Sequence, residues 1–201
     1  MFSQQWVSLG PDDANWPSVG YSGGQLLALD GNDYPVVLAD DNGYGGVYKV
    51  SRWDGTKWHV LGSAGFFAEG SSFSEMVLDG SGNPILAGQD SAYGDRLSVL
   101  RWDGSTWVEI GERGFSNGAA SYLNLAKDAM GNLVVAYEDE ANEDRVSVQR
   151  WTGTSWQFMG ADAFTDPNLG ELDLALDDNG LPVVVYGTSL NGNNTDRKSV
   201  V

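Results

Sequence analysis

The chain has 201 residues, 41% of them hydrophobic, with 28 acidic against 11 basic side chains and a formal net charge of −17. That length can bury a sizeable core, and that charge repels phosphate backbones, which argues against nucleic acid as a partner. No apolar run approaches the roughly 20 residues of a membrane helix, there is no cysteine for a disulfide or a thiolate, and Met1-Phe2-Ser3-Gln4-Gln5 does not read as a secretory signal.

In chain order, the first recognisable segment is Trp6-Val7-Ser8-Leu9-Gly10, and segments of the same form begin at Trp58, Trp107 and Trp156 and end at Gly62, Gly111 and Gly160. The last three follow Arg52-Trp53-Asp54-Gly55, Arg101-Trp102-Asp103-Gly104 and Arg150-Trp151-Thr152-Gly153, in steps of 49 residues. Each unit reads as a β-hairpin: an extended run ends in Arg-Trp, a glycine-containing turn reverses the chain, and the next run opens with Trp. The two tryptophans of a hairpin should then face each other across the strands, adding roughly 0.5 to 1 kcal/mol beyond their burial.

A second element recurs at Asp30, Asp79, Asp128 and Asp177, again in steps of 49. Each Asp closes a short strand, namely Leu26 to Leu29, Glu75 to Leu78, Asn124 to Lys127 and Asp173 to Leu176, and starts a turn that its carboxylate can cap. The following strands, Pro35 to Ala39, Pro84 to Gly88, Leu133 to Tyr137 and Pro182 to Tyr186, are continuously apolar, as expected of strands covered on both faces. A column of small residues, Ala28, Val77, Ala126 and Ala175, suits the most crowded position of a stacked array.

One repeat thus holds four strands in about 50 residues, the period of a β-propeller blade. The N-terminal Trp6 to Gly10 matches a fourth strand, and Arg197 to Val201 matches the third strand that begins at Arg96. The expected fold is an all-β propeller, a single domain over residues 1–201, with four blades of four antiparallel strands and the last blade closed by both termini. The alternative is an eight-bladed ring from two chains; the first reading favours a monomer and the second a dimer.

The Arg-Trp-Asp-Gly-Ser-Thr-Trp-Val-Glu-Ile-Gly segment, followed by a Leu-Ala-x-Asp-x-x-Gly-x-Pro-x-Val-x-Tyr pattern, resembles the Trp-rich propeller repeats of bacterial proteins over essentially the whole chain. It is more loosely similar to the tachylectin-like propeller lectins. The resemblance implies a propeller, sugar recognition, and an extracellular or surface-associated location, while the specific activity must be argued from the site.

Two connections of each repeat are tight and alike, whereas those before the third strand and after the fourth vary in length and composition. Variable loops on a repeated scaffold are where recognition resides. They carry the candidate ligand-binding residues Trp16, Asp41, Tyr44, Asp90, Tyr93, Tyr122, Glu138 and Asp139, in which carboxylates would accept sugar hydroxyls and rings would stack on sugar faces. The competing reading is a solvated acidic rim with aromatics closing the gaps between blades. The acids from Glu138 to Asp144 could offer oxygen ligands to calcium, but lack the spaced Asp-x-Asp-x-Asp-Gly pattern; no other cofactor is indicated.

The regularly spaced tryptophans, and Phe66, Phe115 and Phe164, read as packing. Arg52, Arg101 and Arg150 read as partners of a nearby carboxylate. His59, the single histidine, falls on an exposed strand position, so no Ser-His-Asp or histidine-metal site can be assembled. The leading functional reading is a non-catalytic module, lectin-like, that binds carbohydrate. The alternatives are a scaffold that engages a basic protein surface, and a glycan hydrolase with paired carboxylates.

Overall fold

A computed structural model of the chain describes residues 8–10, 26–40, 48–63, 71–161, 164–167, 169–188 and 196–200. Four antiparallel sheets account for all of its strands. The first holds β1 (Leu26–Leu29), β2 (Pro35–Asp40), β3 (Tyr48–Trp53) and β4 (Trp58–Val60). The second holds β5 (Ser72–Leu78), β6 (Pro84–Asp90), β7 (Arg96–Trp102) and β8 (Trp107–Glu109). The third holds β9 (Ala120–Lys127), β10 (Leu133–Asp139), β11 (Arg145–Trp151) and β12 (Trp156–Phe158), and the fourth holds β13 (Leu169–Leu176), β14 (Pro182–Thr188) and β15 (Asp196–Val200). Within each sheet the strands pair in chain order, and the innermost strands lie side by side in the order β1, β5, β9, β13. The arrangement is propeller-like.

The turns form as the sequence dictates. Asp79 Oδ1 accepts from the backbone N–H of Ser81 and Asn83, both at 2.8 Å, and Asp30, Asp128 and Asp177 repeat the arrangement. The fourth turn residue is left-handed in every copy, glycine at 82, 131 and 180 but Asp33 at φ 60° in the first, a conformation Asp tolerates better than most residues. In the hairpins, Asp54 and Asp103 cap the reversal through Thr56 and Lys57, and through Ser105 and Thr106, while Thr152 does so with its hydroxyl. Hydrogen bonds from Thr56 and His59 hold the Asp54 carboxyl far below the usual carboxylate range, and the turn's own hydrogen bonds lower Asp103 and Asp177. Part of the large negative charge is therefore turn chemistry.

Register places Trp53 opposite Trp58, Trp102 opposite Trp107 and Trp151 opposite Trp156, with ring centroids 5.6, 5.7 and 5.6 Å apart. The second tryptophan of each pair also reaches the preceding sheet: Trp107 Nε1 donates to the Leu61 carbonyl at 3.0 Å and Trp156 Nε1 to that of Ile110 at 2.7 Å. Trp58 Nε1 donates to Leu9 at 2.9 Å, so Ser8–Gly10 sits against the first sheet as the end of a fourth strand sits against the next sheet. The glycine that follows each acceptor lies under the first indole of the pair. A Cβ on Gly62 would come within 2.9 Å of the Trp102 ring, and one on Gly111 within 2.9 Å of Trp151.

Three apolar cores fill the three seams between consecutive sheets. Val36, Leu38 and Val50 meet Leu86 and Met76; Ile85, Ala87 and Val99 meet Val135 and Leu125; Val134, Ala136 and Val148 meet Val184 and Leu174. The middle strands β6 and β10 are buried almost throughout, as their uninterrupted apolar sequence requires. Ala28, Val77 and Ala126 are half-buried, whereas Ala175 is exposed.

The outer faces of the series differ. Leu27 and Leu29 on β1 are 68% and 58% exposed, and Val185 on β14 is 43% exposed. Among the described residues β1 and β13 do not pack together as the other neighbouring inner strands do. Of the two terminal segments assigned to the closing blade, Arg197–Val200 falls in β15, paired with β14, whereas Trp6 and Val7 of the segment Trp6 to Gly10 lie outside the described residues.

Candidate functional site

The structure separates the sequence-derived site residues into three groups. Trp16, Asp41 and Tyr44 lie outside the described residues. Asp90, Glu138 and Asp139 are buried and engaged by the protein itself. Tyr93 and Tyr122 are 46% and 47% exposed.

Asp90 and Asp139 occupy the same place in the second and third repeats, at the end of the middle strand. Each caps the one-turn 3-10 helix that follows, through Ala92 N–H at 3.3 Å and Ala141 N–H at 3.1 Å. Asp90 also accepts from Ser98 Oγ and forms an ion pair with Arg113 at 3.2 Å. Asp139 also accepts from Gly118 N–H at 2.9 Å, which anchors the loop arriving from the second sheet. Burial pushes the Asp139 carboxyl up, against those backbone hydrogen bonds and the nearby charge of Arg96, which pull it down. Glu138 accepts from Ser121 Oγ at 2.7 Å, and Glu143 pairs with Arg145 at 3.0 Å, so the acids that suggested calcium point to separate partners. Among the described residues, no group of three or more His, Cys, Asp and Glu side chains is placed to hold a metal ion.

Tyr93 lies beneath Arg113, whose guanidinium carbon is 5.9 Å from the ring centroid. Tyr122 stands at φ 46°, an uncommon conformation for an aromatic residue, on the stretch of β9 where the register with β10 shifts. The two tyrosines belong to different sheets, and neither lines the groove between the second and third sheets.

A groove of about 580 Å³ instead opens between the second and third sheets. Its wall is the loop after β8. Ser116, buried, accepts from Leu97 N–H at 2.9 Å and donates to the Gly118 carbonyl at 2.6 Å, while Asp139 holds Gly118 N–H from the other side. The loop is thus fixed at both flanks, and it presents the exposed side chains of Glu112 and Asn117 beside Arg96 at the start of β7. Phe115 and Trp156, stacked at 4.7 Å with planes 5° apart, form the apolar surface. Among the described residues no hydrogen bond within the protein engages the side chains of Arg96, Glu112 or Asn117. The groove offers an acceptor pair, a cationic fork, an amide and an aromatic edge, a set able to hold a polyhydroxylated ligand.

Sequence reasoning missed Arg96, Glu112 and Asn117. Glu112 and Asn117 lie in the variable loop that follows the fourth strand, and Arg96 lies at the start of β7, beyond any variable loop. His59 is exposed and sits 2.6 Å from Asp54, as a surface partner of its own hairpin. Arg52 and Arg150 differ from expectation: their guanidinium groups donate to the carbonyls of Gly82 and Gly180 in the next sheet's Asp turn, because that carbonyl faces the seam while the turn carboxylate is occupied by its own backbone. Arg150 also helps to lower Asp128 in its own sheet.

No family model matches the chain, and no curated protein matches it. Solved structures do resemble it. A mutant of AofleA from Arthrobotrys oligospora superposes with a TM-score of 0.59 at 13% identity, over 93% of this chain and 58% of that one. The GH93 α-L-arabinofuranosidase of Fusarium graminearum, in complex with arabinobiose, superposes at 0.51 and 13% identity, over 95% of this chain and 64% of that one. The likeness is one of fold. A protein of unknown function from Dyadobacter fermentans gives 0.57 at 14% identity, over 86% of this chain and 50% of its own. The chain therefore spans between half and two thirds of the length of these three structures. No helix among the described residues is long and apolar enough to cross a membrane.

Proposed function

We propose that the protein is a carbohydrate-binding module of lectin-like, non-catalytic character, carried on a propeller and acting at an extracellular or surface location. The groove between the second and third sheets is its binding site. The observation that carries this reading is the convergence of Arg96, Glu112 and Asn117, whose side chains make no hydrogen bond among the described residues, on a groove whose apolar side is the Phe115 and Trp156 pair. Sugar hydroxyls ask for charged and amide partners in fixed positions, and the C–H face of a pyranose asks for an aromatic surface. Binding rather than hydrolysis is favoured because a glycosidase of the two-carboxylate type needs a second acid about 5 to 10 Å from the first, and among the described residues Glu112 is the one acid lining the groove.

The sequence-derived residues enter in supporting roles. Asp139 positions the loop that bears Asn117, and Tyr93, with Arg113 over it, flanks the same loop through Gly114. A glycan array, followed by calorimetric titration of the best neutral sugar, tests the reading. Arg96→Gln and Glu112→Gln should each weaken binding at least about tenfold, the loss of one charge-assisted hydrogen bond, with unfolding unchanged in Glu112→Gln, whose side chain is exposed. Absence of binding across the array, or full binding by both variants, would refute it.

A further inference from the structure

Two of the three seams carry the same fastening at the end where the Asp turns lie. An arginine on the third strand of one sheet crosses to the turn of the next: Arg52 donates to the Gly82 carbonyl and Arg150 to the Gly180 carbonyl. That turn stands close to the preceding sheet, so a Cβ on Gly82 would lie 3.2 Å from Asp30 Cβ and one on Gly180 2.9 Å from Asp128 Oδ2. Both arginines are half-buried.

The seam between the second and third sheets is built differently at this end. Arg101, the repeat equivalent of Arg52 and Arg150, is exposed and makes no hydrogen bond among the described residues, and a Cβ on Gly131 would meet nothing within 4 Å. A groove of about 410 Å³ opens there, with Ile85 on one side, Leu133 on the other, and Ile110 and Trp151 along its walls. Register places a cation beside each aliphatic residue. Arg101 pairs with Ile85 and Lys127 with Leu133, and residues directly opposite in an antiparallel pair share a face. Lys127 stands where the other repeats have Leu29, Leu78 and Leu176, and its ammonium donates to the Leu78 carbonyl, which holds it across the seam with two N–H groups to spare.

The acids that line the groove do not neutralise this pair. The Asp79 carboxylate already accepts from the backbone N–H of Ser81 and Asn83 and from the Asn83 amide. Glu109 pairs in register with Leu100, which packs in the first seam, so its side chain belongs to the sheet face opposite Arg101. In a chain of net charge −17, two cations set over an apolar floor are a local reversal of sign, and such a reversal draws anions.

We propose that this groove binds a small organic carboxylate with an apolar body, an aryl- or alkyl-carboxylic acid. At 52 and 150 the guanidinium takes an sp2 carbonyl oxygen; a carboxylate offers Arg101 two oxygens of that kind, at the spacing of its fork, and a charge that Lys127 shares. The volume is that of a small-molecule site, and an apolar body laid against Ile85, Leu133 and Trp151 gains by leaving water. The site is separate from the proposed sugar groove. Arg96 and Arg101 stand near opposite ends of β7, about 17 Å apart along the strand, and the two grooves share no lining residue.

The test is ligand-observed NMR on the full-length chain, with phenylacetate as the probe and phenylacetamide as its uncharged counterpart. The wild type should broaden the phenylacetate signals and leave those of phenylacetamide sharp. Arg101→Met and Lys127→Leu should each weaken phenylacetate binding at least about tenfold, the loss of one charged donor. Neither variant should lower the denaturation midpoint, because Arg101 is exposed and leucine is the residue of the other repeats at 127. Sharp phenylacetate signals with the wild type overturn the proposal, as do equal broadening of phenylacetamide or undiminished binding by both variants. Displacement of phenylacetate by equimolar inorganic phosphate overturns it too, since it would show a site for any anion. Failure of sugar binding at the other groove changes none of these readings.

Discussion

The seam between the third and fourth sheets and the seam between the second and third are copies of one design that use their cations differently. At the former, Arg150 donates to the Gly180 carbonyl across the seam, and a Cβ on Gly180 would stand 2.9 Å from Asp128 Oδ2. At the latter, the equivalent Arg101 is exposed and makes no such bond, and a Cβ on Gly131 would meet nothing within 4 Å. Lys127, where the other repeats have leucine, instead donates back to the Leu78 carbonyl, and a groove of about 410 Å³ opens beside it. Where the copies agree, polar side chains serve the architecture. Where they differ, the side chains are released and the surface opens.

This contrast can be broken at several points. The largest effect should come from the tryptophan pair that the hairpins of the first three sheets share: Trp58→Ala removes a buried indole, its contact with Trp53 and its hydrogen bond to Leu9, and should cost about 3 to 5 kcal/mol in chemical denaturation. Next, Arg150→Met should cost about 1 to 3 kcal/mol by leaving the Gly180 carbonyl without its donor. Arg101→Met should stay within about 0.5 kcal/mol of wild type, as surface substitutions do. Equal losses at the two arginines would erase the distinction between the seams.

Asp139→Ala separates support from contact. It strips the acceptor from Ala141 N–H and Gly118 N–H, so it should lower stability by about 1 to 2 kcal/mol and weaken sugar binding through the displaced loop. The smallest effect is a pH dependence at Glu75. Burial, reinforced by Asp173 on the fourth sheet, raises its carboxyl above the usual glutamate range. A raised folded-state value means the folded chain holds the proton more tightly than the unfolded chain, so the penalty is complete above that value and relieved as pH falls toward the ordinary one. Glu75→Gln should therefore raise the melting temperature at neutral pH, and the gain should shrink in acid; a gain independent of pH would show that the carboxylate is not its source.

Much of the fold was legible because its determinants are local. Asp79 and Asp54 mark their turns by side chains that reach their own backbone, and Trp102 and Trp107 mark a hairpin by their spacing around Asp-Gly. The candidate site was less so. Asp90 and Asp139 look like ligand groups in a list of loop acids, yet each turns inward on its own helix turn, and that orientation depends on the chain that returns beside it from another sheet. Arg96, Glu112 and Asn117 are far apart in sequence relative to Trp156, and they share a groove only because consecutive sheets stack.

By itself the sequence determined the repeat, the four-strand unit, the turn chemistry and the pairing of tryptophans, since each follows from backbone preferences and contacts within a few residues. The tertiary structure alone decided which copy of a repeated residue is consumed by its neighbour and which is left exposed. Leu27 and Met76 have equivalent places in the pattern, and one is open while the other packs against a core because, among the described residues, a preceding sheet stands against the second sheet and none against Leu27.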